Sequence, residues 1–128
     1  MTKFTVAVSA LAFSALVSLS AGAASCPYKM GTATYIDNVT KAVKAQKTCT
    51  SASALAYACA MGSSGDLQPV GEAITKCEAI AKPHLTARDN ANIKAANAKC
   101  DKENNQQGTM YMSMKAFCHL DTIKKYAK

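Results

Sequence analysis

CAMGSSGDLQPVGEAITKCEAIAKPHLTARDNANIKAANAKCDKENNQQGTMYMSMKAFC, residues 59–118, carries four cysteines at intervals of 18, 23 and 18, so the pair Cys59/Cys77 recurs 41 positions later as Cys100/Cys118. Between the members of each pair lies a polar, glycine-containing gap, Met61 to Asp66 in the first and Asp101 to Gly108 in the second. Each gap gives way to an apolar run of helical period that reaches the next cysteine, so each half reads as helix, turn, helix.

Flanking segments extend the pattern. Thr34 with Asp37 has the spacing of a capping box, and Ile36, Val39 and Val43 follow at helical intervals. Lys41, Lys44 and Lys47 form a basic stripe on the same helix, read as a solvated face. A second helix is expected over 51–61, with Leu55, Ala56 and Cys59 inward. A third starts with Pro69 at its first position, keeps Val70, Ile74, Cys77 and Ala81 on one face, and is stopped by Pro83. Thr86 and Asp89 cap a fourth helix that runs to about Lys99, although Asn90, Asn92 and Asn97 make it dependent on packing and on a bridge at Cys100. The fifth, 109–126, is the most apolar, with Met110, Met114, Phe117 and Leu120 in one stripe. No alternating strand pattern of useful length occurs. The expected fold class is therefore all-α, a compact disulfide-stapled bundle of about five short helices.

Residues 1–24 read as a secretory signal peptide: one basic residue, an apolar run from Val6 to Leu19, and small residues at 20–25 that suit cleavage after Ala23 or Ala24. The remaining 104 residues, 25–128, make one domain and contain all six cysteines, Cys26, Cys49, Cys59, Cys77, Cys100 and Cys118. Export and an even count point to three disulfides. The core explains the need for them. Only about two dozen larger apolar or aromatic residues occupy 25–128, with no tryptophan. At roughly 25 cal/mol per Å² so thin a core barely offsets chain entropy. Fifteen pairings are possible. In a tight antiparallel hairpin Cys59 and Cys77 would be offset by about 10 Å along the helix axes, as would Cys100 and Cys118, whereas bridged Cα atoms must lie within about 7 Å. Bridges between hairpins rather than within them are expected.

The small, exported, six-cysteine helical build is similar to that of the oomycete elicitins and the insect odorant-binding proteins, and the helix-bearing interval from Cys26 to Cys49 resembles the elicitin opening. Cys59 and Cys77 stand 18 apart where elicitins have a close third and fourth cysteine. Cys49 and Cys59 have nine residues between them where odorant-binding proteins have a close second and third. The likeness is architectural and no residue role is carried from either.

No catalytic constellation is present. Cys118-His119-Leu120-Asp121 lacks the contiguous His-Asp pair and calcium loop of the secreted phospholipases, no nucleophile elbow occurs, and oxidised cysteines offer no thiolate. His84 and His119 are not at ligand spacing and no C-x-x-C pair occurs, so neither metal nor cofactor is expected. Asn38-Val39-Thr40 matches the N-glycosylation tripeptide inside a predicted helix.

The net charge is +7, and with Lys3 in the leader residues 25–128 carry +6, enough for weak attraction to anionic surfaces. Thirteen lysines spread over those residues rather than along one amphipathic helix, which disfavours a membrane-active or antimicrobial protein. Secretion and the lack of basic-aromatic interleaving disfavour nucleic acid. The expectation is a non-catalytic secreted binding module (periplasmic in a Gram-negative bacterium), effector-like with an extracellular protein partner or a carrier of a hydrophobic molecule, and with no membrane span after leader removal. Met110, Met114 and Phe117 are the expected border of an apolar site, with Met112 off their stripe, because methionine lines adaptable apolar surfaces.

Overall fold

Helix starts in this chain are decided by which side chain can satisfy the first backbone N–H groups. In the computed structural model, which describes residues 25–128, Thr86 is extended and its Oγ1 accepts from Asp89 N at 3.1 Å while Asp89 Oδ2 accepts from Thr86 N at 2.9 Å, the capping box expected there. Thr48 supplies a one-way cap for a helix beginning at Cys49, two residues earlier than expected, its Oγ1 accepting from Ser51 N at 3.0 Å. Thr34 does not. Its ψ of 5° is not the extended conformation a side-chain cap needs, and its hydroxyl instead accepts from Asn38 Nδ2 at 3.2 Å.

Five helices result: α1 Tyr35–Ala45, α2 Cys49–Ala58, α3 Leu67–Ala81, α4 Ala87–Glu103 and α5 Thr109–Lys124, with single 3₁₀ turns at Ser64–Asp66 and Lys82–His84. No strand occurs among the described residues. The signal peptide expected over 1–24 lies outside them. α3 is the central element, packed by α1, α2 and α5. It begins two residues before Pro69, which is tolerated in a first turn because that N–H has no helical partner. Val70, Ala73, Cys77 and Ala81 of α3 meet Tyr35, Val39 and Val43 of α1, Ala52 and Ala56 of α2, and Leu120 and Ile123 of α5. Tyr35 takes the inner place on α1, half displacing Ile36, and its hydroxyl donates to Cys59 O at 2.7 Å. Burial, and then the charge of Asp66, raises the Tyr35 hydroxyl above its ordinary pKa.

Three disulfides staple the bundle: Cys26–Cys59, Cys49–Cys77 and Cys100–Cys118, with Cα separations of 4.8, 4.6 and 5.7 Å. Cys59 and Cys77 are not partners, but Cys100 and Cys118 are, against the expectation of bridges only between hairpins. The expectation assumed helices level at the turn. α4 instead continues to Glu103, a turn beyond the expected end, closed by Asn104 Nδ2 donating to Cys100 O at 3.0 Å. α5 starts beyond that end and doubles back, so Cys118 draws level with Cys100. Cys100 is the one buried residue of α4.

Candidate functional site

The path into α5 sets what its side chains face. Gly108 has φ 127° and ψ 151°, a region open essentially to glycine alone, and no side chain caps the helix it introduces. Cys118 is bonded to Cys100 and His119 Nε2 meets Asp101 Oδ1 at 2.9 Å. In that antiparallel register, residues 109–114 run past the end of α4.

The overhang is held from the other side. Ser113 is buried and its Oγ donates to Asp66 Oδ2 at 2.6 Å. Asp66, 1% exposed, also accepts from the backbone N–H of Met61 at 2.8 Å, Gly62 at 2.9 Å and Ser63 at 3.3 Å. One carboxylate thus organises the turn after α2 and anchors α5 to it. A turn lower, Tyr57 stacks on Phe117 with ring centroids 4.4 Å apart and donates its hydroxyl to Asp121 Oδ2 at 2.6 Å. Burial first, then the Asp121 hydrogen bond and charge, push the Tyr57 hydroxyl far above its ordinary range.

Once Ser113 is taken inward, the methionines of the overhang are left outside. Met110, Met112 and Met114 are 51%, 45% and 49% exposed, whereas Leu120 at the other end of the helix is fully buried. Two hollows flank α5. The wider, about 730 Å³, is bordered by Tyr57, Ala60, Met114, Phe117 and Asp121. The smaller, about 320 Å³, lies between α3 and α5, with Leu67, Gly71, Ile74, Met112, Ala116 and Lys115 lining it together with the polar Asn104, Asn105, Gln106 and His119. Of the three residues singled out in the sequence, Met114 and Phe117 therefore share a groove, and Met110 borders neither hollow.

Several participants left little trace in the sequence. Asp66 and Ser113 are 47 residues apart. His119 and Asp101 each follow a cysteine of the same disulfide, the one sequence signal that could have paired them. His84 is exposed in the short turn before α4. No group of three His, Cys, Asp or Glu side chains is gathered for a metal among the described residues. No described helix is long and apolar enough to cross a membrane. Three disulfides suit an oxidising, extracytoplasmic setting. Comparison with protein-family models, with curated proteins and with solved structures finds no match to this chain.

Proposed function

We infer that this protein is a non-catalytic, secreted binding module whose contact surface is α5 and the two hollows beside it. The carrying observation is the inversion along that helix: three methionines half in solvent while smaller apolar residues elsewhere are fully buried. In a domain with so little large apolar side chain to spend, leaving three of them outside disfavours stability and favours an adaptable apolar contact. The preferred occupant is a small hydrophobic molecule, with an apolar patch on an extracellular protein as the other form of the same reading.

The polar groups support the absence of catalysis. All six cysteines are oxidised. His119 has Asp101 as its hydrogen-bond partner, and no hydroxyl is bonded to it among the described residues. Against a membrane-active role, the lysines remain dispersed, with Lys44 and Lys99 paired to Glu72 and Glu103 at 3.7 and 3.6 Å. The test is a fluorescent fatty acid titrated into the oxidised protein, alongside dye-loaded anionic liposomes. Saturable binding without leakage is expected. Salt-sensitive leakage without saturable binding establishes the membrane-active alternative instead.

A further inference from the structure

The smaller hollow is floored by a glycine inside a helix. Gly71 lies within α3, where glycine weakens a helix relative to alanine. A Cβ built on it would meet nothing within 4 Å, so no neighbour excludes a larger side chain there. The glycine's effect is to leave the floor of the hollow open. Its volume of about 320 Å³ matches roughly ten liquid waters at ~30 Å³ each, the small end of the range for ligand cavities. Leu67, Ile74, Met112 and Ala116 make it apolar, and Lys115 enters it half-buried. Among the described residues no carboxylate lies within 4.0 Å of the Lys115 ammonium. The connection that follows α4 offers amides, Asn105 and Gln106 beside the Asn104 that closes the helix, while Asp101 is engaged by His119. An apolar hollow with one unpaired cation and several amides in its lining complements a short alkyl chain ending in an anion.

Resting on the binding-module reading, we propose that the hollow between α3 and α5 is a specific site for a medium-chain carboxylate, with the alkyl chain over Gly71 against Leu67, Ile74 and Met112 and the carboxylate at Lys115. Calorimetric titration of the oxidised protein with decanoate, and with the neutral decanol of equal chain length, tests it. One decanoate per protein is expected. Gly71→Leu, which fills the floor with a good helix former, abolishes that binding while the helical circular dichroism and melting temperature are kept. Lys115→Gln weakens decanoate about tenfold, as loss of one charge-assisted contact at a half-exposed site implies, and leaves decanol unchanged. Undiminished decanoate binding by Gly71→Leu overturns the site. If Met114→Ser in the wider groove removes binding instead, or if only a long-chain fluorescent fatty acid binds, this site is wrong and the module reading survives. If the unaltered protein binds none of these probes, this site and the small-molecule form of the module reading both fail.

Discussion

Replacing Asp66 by Asn preserves shape and removes the charge, which isolates what the buried carboxylate does. Oδ1 accepts from Met61 N, and Oδ2 accepts from Gly62 N, Ser63 N and Ser113 Oγ. An amide has one oxygen. Whichever way it turns, its NH₂ faces at least one backbone N–H, leaving that donor unpaired at about 1–3 kcal/mol, while the bonds retained lose their charge-assisted part. The combined cost is about 3–5 kcal/mol, the range for breaking a buried polar network. For a domain of this length each kcal/mol moves the melting temperature by about 4–8 °C, so a fall of roughly 12–40 °C is expected. Ser113→Ala removes only one donor and should cost about 1–2 kcal/mol. Denaturant unfolding with the disulfides intact measures both. An Asp66→Asn variant within about 1 kcal/mol of the parent, or one milder than Ser113→Ala, would refute the view of this carboxylate as the anchor of α5.

Removing Cys100 and Cys118 together, as alanines, should cost about 3 kcal/mol from a closed loop of 18 residues and raise hydrogen exchange selectively in α4, with α1 to α3 still protected; uniform deprotection would contradict it. The raised hydroxyls of Tyr35 and Tyr57 stay protonated in the folded protein after their unfolded counterparts ionise near pH 10, so their contribution is complete below that value and is lost as pH rises through the folded values. Alkaline unfolding should therefore be shallower in Tyr57→Phe than in the parent, and identical curves would count against the Tyr57–Asp121 contact. The Asp89 carboxyl is held below its ordinary range by hydrogen bonds from the Thr86 side chain and then its backbone. Its contribution is present above the unfolded value and lost as pH falls through the folded one, so the destabilisation caused by Thr86→Ala should shrink from pH 7 to pH 2 in melting experiments.

The parts of this fold that could be read from sequence are those in which cause and effect are neighbours. Apolar spacing located every helix, and Thr86 and Asp89, three residues apart, formed the box their order implies. Thr34 and Asp37 have comparable spacing, yet the chain arrives at Thr34 from a turn, and backbone conformation overruled the side chains. The Cys100–Cys118 bridge depended on how far α5 starts beyond the end of α4, a distance set by a polar connection with no apolar period to read. At the candidate site the Met110, Met114, Phe117 spacing identified a helix face, but which half of that face is covered was decided by Asp66 drawing in Ser113 from 47 positions away. Gly71 gives no local sign of being anything other than a weak helix residue.

The pattern of bridges also divides the molecule covalently. Cys26–Cys59 and Cys49–Cys77 interleave and close within the first part of the domain, while Cys100–Cys118 closes within the last, and no bridge crosses from one to the other. A chain threaded outward from its N-terminus can complete the first two bonds before α4 and α5 have emerged, and the final bond then has no other cysteines with which to mispair. The same layout makes the 82–88 connection a point of separation: one cut there leaves two independently cross-linked pieces, joined by the packing of α5 against α3 and α2 and by the Ser113–Asp66 and Tyr57–Asp121 hydrogen bonds.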